Sequence, residues 1–365
     1  MLKAYKYRLY PNNEQKIYFA KSFGSVRFIY NQMLANRIEL YTKYKDDKEL
    51  LKAHKPRTYT SFKYEYEFLK EIDNLALANA QLDLNNAYKK FFKEGAGFPK
   101  FKSKSRSKKS YKTNNQGGNI RIEENKIKLP KVGFVKIKYH QQFDGLIKSC
   151  TVSQSPTGKF YVSILVDEED YEWIPAKNKI GIDLGITHFA ITSNDDGISE
   201  KYNNPKFLRK SEQKLIKAQK ALSRKKKGSK NRNKARLILA KKHEKIANQR
   251  RDFLHKLSYK ITSENQVIVI ETLRSSNMLK NHKLAKSISD VSWYEFTRQL
   301  EYKSAWLGRT LIKANQWFAS SQICSDCGVN GGKKTLDIRE WTCVECDSVH
   351  DRDINASRNL LNLAN

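Results

Sequence analysis

The sequence predicts a mixed α/β core with an α lobe and a β lobe before it and a small metal-bound ribbon near the C-terminus. Three stretches predict this. Lys179-Ile-Gly-Ile-Asp183 reads as a strand with Ile180, Ile182 and Leu184 on one face and Gly181, Asp183 and Gly185 on the other. Val267-Ile-Val-Ile-Glu271 is an apolar, β-branched strand of the kind buried on both faces at the centre of a parallel sheet. Cys324-x2-Cys327-x15-Cys343-x2-Cys346 has the spacing of two metal-binding knuckles.

At 365 residues the chain can hold two or three domains, each with its own core. Hydrophobic residues make up 39% of it, so its charge belongs on folded surfaces. That charge is 70 basic against 38 acidic side chains, a formal net +32. Such an excess repels itself in a compact state unless a polyanion neutralises it, and nucleic acid is the usual one. A membrane partner fits poorly, since no apolar run approaches the roughly 20 residues that a spanning helix needs. Residues 1–11 lack the apolar region of a secretory leader. Without a leader, the two Cys-x-x-Cys pairs point to metal rather than disulfides. Cys150, left over, is expected to be a small buried side chain.

In chain order, residues 2–10 alternate crudely between apolar and basic side chains, which predicts a short edge strand. Pro11-Asn12-Asn13-Glu14 reads as a turn and helix cap. From about Ser25, Val26, Ile29, Tyr30, Met33, Leu34, Ile38 and Tyr41 form the stripe of an amphipathic helix. Another helix is expected over 75–92. Lys100, Lys102, Lys104, Arg106 and Lys108 fall on every second residue. In an extended chain they would line one edge, suited to a phosphate backbone or else forming a solvated linker. Runs at 126–130, 133–139, 145–153 and 159–167, separated by turn residues, predict a small antiparallel barrel or sheet.

After the Asp183 strand, 188–193 and 198–202 complete a three-stranded meander around Asn194-Asp195-Asp196-Gly197. Residues 205–260 carry 21 basic and three acidic side chains. Leu208, Leu215 and Leu222, then Leu239, Ile246 and Phe253, keep seven-residue repeats. They predict two helices zipped into a hairpin with basic faces outward. Arg224, Lys225, Lys226, Arg250 and Arg251 are its candidates for nucleic-acid contact. A helix over 293–308 and a strand near 310–314 complete a β-β-β-α-β-α-β order. Residues 351–360 then read as a helix with acidic residues in its first turn.

Four thiolates in two knuckles suit tetrahedral zinc, and a closed four-sulfur site makes that metal structural. His350, just past the ribbon, is left open as a ligand, an active-site neighbour or a packing residue. Asp183, Glu271 and Asp353 are the catalytic candidates, each placed where a strand end or helix start can aim it inward. Three converging carboxylates need cations, and hard oxygen ligands select Mg²⁺ or Mn²⁺. Two such ions ~3.5–4 Å apart would activate a water and stabilise the departing oxygen of a phosphodiester. Gly181 and Gly185 suggest room for an ion and a bulky polyanion. Asp351 competes with Asp353; two positions apart on a helix, they face about 200° away from each other, so only one points in.

These residues resemble the TnpB family of transposon-encoded RNA-guided nucleases over nearly the whole chain. The resemblance is carried in order by several motifs. They are Lys3-Ala-Tyr-Lys-Tyr-Arg-Leu-Tyr-Pro11, Phe98-Pro-Lys-Phe101, Gly181-Ile-Asp-Leu-Gly185, Arg251-Asp-Phe-Leu-His255, Ser321-Gln-Ile-Cys-Ser-Asp-Cys-Gly328 and Asp351-Arg-Asp-Ile-Asn-Ala356. It implies a RuvC-type RNase H-like nuclease domain over 176–365, with the basic hairpin at 205–260 and an inserted zinc ribbon at 320–349. It implies a β-barrel-like wedge domain from 1–10 and 113–175, and a helical recognition domain over 11–112. Asp183, Glu271 and Asp353 would be the acidic triad, since the family's third acid stands two residues before Asn355.

The partners implied are a guide RNA derived from the transposon end and a double-stranded DNA target with a short adjacent motif, one protein copy per RNA. The setting implied is the nucleoid-associated cytoplasm of a prokaryote. Thr272 departs from the Asp or Asn the family generally carries, and the chain ends 12 residues after Asp353, without a longer basic tail. The alternatives are a guided repressor that has lost cleavage and a strand-transferring transposase. The first is expected to lack one of the three acids. The second would carry them in the order Asp, Asp, Glu.

Overall fold

The computed structural model describes residues 1–169, 173–335 and 337–364, in two compact units, 1–170 and 171–365. Strand β1 (Leu2–Tyr10) opens the first. It is a central strand, not the expected edge strand: the seven-stranded antiparallel sheet runs β2-β6-β7-β1-β5-β4-β3. Its alternation arises because one face is packed and the other wet. Tyr7 and Leu9 are buried, while Lys6 and Arg8 lie over the Tyr161 ring at 4.8 and 5.1 Å.

Asn12 caps α1 (Asn13–Tyr44) with a reciprocal bond to Gln15, so the expected turn is a capping box. No proline follows, and the helix runs unbroken through Ser25 for 32 residues. Helices α2 (Lys48–Ala53), α3 (Tyr59–Glu65) and α4 (Asn74–Glu94) follow. The remaining strands are β2 (Lys109–Asn114), β3 (Arg121–Glu123), β4 (Lys126–Leu129), β5 (Gly133–Lys138), β6 (Leu146–Gln154) and β7 (Phe160–Asp167). Helices and sheet share one core, with Phe19, Leu34 and Leu77 against Tyr7, Val135 and Val162. Cys150 is buried in it as expected.

The second unit begins with β8 (Asn178–Leu184), β9 (His188–Asn194) and β10 (Ser199–Asn203). The basic hairpin follows as α5 (Phe207–Ser223) and α6 (Lys230–Glu264). Next come β11 (Asn265–Ile270), α7 (Ser275–Met278), α8 (Ala285–Val291), α9 (Trp293–Trp306) and β12 (Thr310–Lys313). The ribbon contributes β13 (Glu340–Thr342) and β14 (Val349–Asp351), and α10 (Arg352–Leu361) closes the fold. The main sheet is ordered β10-β9-β8-β11-β12, with β8, β11 and β12 parallel. Its two faces follow strand alternation. Ile180, Ile182, Ile268 and Ile270 pack on Leu254, Leu257, Phe296 and Leu300 of α6 and α9. Val269 on the other face meets Leu360 of α10.

Gly181 belongs to that second face, and its purpose differs from the one expected. A Cβ there would stand 2.1 Å from Ser357 O and 2.4 Å from Leu361 N. At Gly185 it would stand 2.7 Å from His188 O. The missing side chains make room for α10 and for the β8–β9 turn, not for an ion. Gly181→Ala should therefore cost about 1–3 kcal/mol through overpacking, read as a lower melting temperature. An unchanged melting curve would mean that α10 is free to lift away.

Candidate active site and metal centre

Strand alternation also sets the acids. Asp183 on β8 shares a face with Gly181, and Glu271, just past β11, shares it with Val269. The two strands are parallel neighbours with Ile182 beside Ile270, so both carboxylates emerge together at the strands' carboxyl ends. Helix α10 packs across β8 and β9 on this side and carries Asp353 in its first turn. Asp183, Glu271 and Asp353 line one cavity of about 430 Å³, together with Arg339, Arg352 and residues 316–322.

Asp351 has a different task. Its Oδ1 accepts from the backbone N–H of Asp353 and of Ile354, both at 3.0 Å, and its Oδ2 pairs with Lys201. It caps the helix, which turns Asp353 toward the cavity and settles the geometric contest between the two.

The cavity is electrostatically loaded. Burial, with Glu271 and Asp353 adding repulsion, pushes the Asp183 carboxyl well above the usual carboxylate range, against a smaller pull from Arg352. Glu271 is raised too, first by burial and then by Asp353, although Leu184 N–H donates to its Oε1 at 2.6 Å. Arg339 Nη1 lies 3.7 Å from Asp353 Oδ2. An all-oxygen set of desolvated acids fits a hard divalent cation, which would remove the repulsion that the protein alone leaves. Thr272, the departure from the resembled pattern, donates its hydroxyl to Ala314 O at 2.7 Å and so ties the end of β11 to the end of β12.

The second centre is all sulfur. The four Sγ atoms of Cys324, Cys327, Cys343 and Cys346 lie within 4.8 Å of one another. Cys324–Cys346 and Cys327–Cys343 are each 3.6 Å apart. Sulfurs about 2.3 Å from a tetrahedral zinc would be about 3.8 Å apart, so the donor set fits. Backbone N–H bonds shape both knuckles: Gly328 to Cys324 O at 2.9 Å and Asp347 to Cys343 O at 3.1 Å. His350, whose role the sequence left open, is buried with Nε2 3.0 Å from Cys324 Sγ and its ring 4.8 Å from that of Trp341. It is a neighbour of the sulfur cluster and not part of the acidic cavity.

Relatives fix the family. A profile described as a probable transposase matches residues 163–282, "Cas12f1-like, TNB domain" matches 293–360, and a helix-turn-helix domain matches 1–46. A putative RNA-guided DNA endonuclease of Streptomyces pristinaespiralis is 38% identical over 98% of this chain and 88% of its own. The putative RNA-guided DNA endonuclease InsQ of Escherichia coli is 32% identical over 99% of this chain and 92% of its own. The chain belongs to the TnpB family. Its fold is shared with the protein in a cryo-EM structure of a Cas12f1–sgRNA–target DNA complex, at a TM-score of 0.64 and 14% identity, over 99% of this chain and 98% of that one. In this TnpB-family chain the segment matched as helix-turn-helix is a strand followed by one long helix.

The basic candidates divide. Lys100, Lys104, Arg106, Lys108, Arg224, Lys225, Lys226 and Arg251 are exposed. Arg250 is committed elsewhere: its Nη2 donates to Asp290 Oδ1 at 2.8 Å, and Asp290 also accepts from Leu208 and Arg209 N–H at the start of α5. Lys102 is half-buried, its Nζ 3.9 Å from the Tyr30 ring centre and 3.8 Å from Asp83. The even lysine spacing does not form an extended edge. Ser107 N–H bonds Ser103 O at 3.0 Å, and Ser103 Oγ accepts from Arg106 N–H, closing a turn over 103–107. Arg339, Arg352 and Trp317 were not foreseen. Arg352 could have been found inside Asp351-Arg-Asp353, but nothing in sequence spacing marks the other two. Among the described residues no helix is long and apolar enough to cross a membrane.

Proposed function

We infer that this chain is an RNA-guided DNA endonuclease that hydrolyses phosphodiesters at the acidic cavity. The observation that carries the reading is that Asp183, Glu271 and Asp353, drawn from three separate stretches of a chain of net charge +32, line one cavity. The two full-length relatives carry that activity in their names. The three carboxylates would hold two Mg²⁺ ions, or Mn²⁺. When bound, such ions activate a water and stabilise a departing oxygen.

The chain's own residues prepare this. Leu184 N–H holds Glu271 Oε1, the Asp351 cap orients Asp353, and Arg339 and Arg352 offer charge to the non-bridging oxygens of the DNA backbone. The strand order, with β8 antiparallel to β9 on one side and parallel to β11 on the other, and β11 parallel to β12, supports a RuvC-type RNase H-like assignment for 176–365, with the hairpin 205–260 and the ribbon 320–349 within it. Residues 1–10 and 113–175 would form the wedge and 11–112 the recognition lobe. The four cysteines would hold a structural zinc. Base pairing with a guide RNA from the transposon end would choose the target, while the protein reads backbone shape and a short adjacent motif.

The test is to purify the protein from its own host, sequence the RNA that travels with it, and offer a matching duplex in Mg²⁺. Sequence-specific cutting is expected; a protein carrying no defined RNA and cutting nothing overturns the reading. Affinity for that RNA should fall roughly 10³-fold or more between 50 and 200 mM salt, as six or more phosphate contacts release counterions. Filter binding across that range checks it, and a flat profile would remove the phosphate contacts.

A further inference from the structure

We propose that Trp317 is a stacking platform that seats a nucleobase of the DNA strand entering the acidic cavity. The proposal rests on the nuclease reading and adds a positioning residue to it. Of the five tryptophans, Trp293 and Trp341 are buried and Trp173 and Trp306 half-buried, whereas Trp317 is 82% exposed. It lines the same cavity as the three acids. Its backbone is held in place, since Asn315 Oδ1 accepts from Trp317 N–H and Asn315 O from Phe318 N–H, both at 2.9 Å. The next residue, Phe318, packs on the cluster of Val269, Ala314 and Leu360. A fixed turn therefore presents a bare indole at the rim of a polar, charged cavity.

The surroundings select the partner. An apolar protein surface would find carboxylates and two guanidiniums beside the ring. A nucleic-acid strand instead offers phosphates to Arg339 and Arg352 and a π-face to the indole in one ligand. Stacking accepts every base, which suits a site whose sequence choice is made elsewhere by pairing. Binding a base at a fixed ring would also hold the adjacent phosphate at the acids, and small misplacements there cost rate.

The experiment uses the RNA-bound protein and its matching duplex, with the cut mapped first in the unaltered chain. Trp317→Ala should lower cutting at subsaturating DNA by roughly 5- to 150-fold, the range for one stacked base. Trp317→Phe should restore most of it, and the melting temperature should not move. An abasic nucleotide beside the cut should weaken the unaltered protein by a similar factor and leave Trp317→Ala no worse. Binding is read separately in Asp183→Ala protein, where a twelve-nucleotide oligothymidylate should quench tryptophan fluorescence, and adding Trp317→Ala should remove the quench. Full-rate cutting by Trp317→Ala, or a quench that survives the substitution, overturns the proposal. If the unaltered protein cuts nothing, the nuclease reading fails on its own, and the quench still decides the role of Trp317.

Discussion

Asp183→Ala abolishes cleavage in Mg²⁺, by at least about 10³-fold, while affinity for the guide RNA stays within a few-fold. The first half follows from place. Asp183 lines the cavity with Glu271 and Asp353, and its carboxyl feels both, so removing it takes a donor out of the acidic set. The second half follows because the substitution changes one side chain inside the cavity and none on the basic helices. Stability gives a further sign. The folded chain holds three mutually repelling, partly desolvated acids, so deleting one should leave the melting temperature in buffer without added Mg²⁺ unchanged or higher, the pattern of a site built for function at the expense of stability. Single-turnover cleavage and thermal melts read both. Retained cutting would remove Asp183 from the mechanism.

What could be read in advance depended on whether a residue's role is set within its own strand or helix. Glu271 was legible because a β-branched run that ends on a carboxylate fixes both the strand and its exit. Only the family resemblance favoured Asp353 over Asp351, since helical spacing says that the two diverge but not which one caps. The hydrogen bonds from Asp353 and Ile354 N–H decide that, and they depend on where α10 begins. Gly181 was singled out correctly and misread, because a glycine announces a close approach without naming what approaches. β1 showed its two-faced pattern, but strand alternation cannot tell a wet central strand from an edge. Arg250 looked like any other basic residue of the hairpin until Asp290, 40 positions on, met it. Arg339 reaches the cavity through folding of the ribbon and Trp317 through the turn just before it, and for neither does a periodicity exist to be read.

Losing the zinc should do damage at two distances. The ribbon has almost no core of its own: among the described residues its buried hydrophobic cluster is Cys324, Trp341 and Cys343, with His350 against them. A segment so thin would draw folding energy from a zinc held by its four cysteines, so Cys324→Ser, or a zinc chelator, should lower the melting temperature and open the ribbon's amides to exchange. The second effect reaches the acids. Asn355 Nδ2 donates to Ile323 O at 2.7 Å and its Oδ1 accepts from Ser325 N–H at 2.9 Å, so the first knuckle grips α10 two residues beyond Asp353. Asn359 Nδ2 donates to Ser320 O at 2.8 Å one turn further on. When the knuckle loosens, that grip goes, and Asp353 loses its fixed place beside Asp183 and Glu271. Cleavage should then fall by at least about tenfold even in excess Mg²⁺, since a shift of about an ångström at a reacting centre can cost a hundredfold. The two treatments thus separate cleanly: Asp183→Ala stops cutting and spares the melt, whereas zinc loss lowers both. A zinc-free protein that melts and cuts as before would break the link between ribbon and cavity.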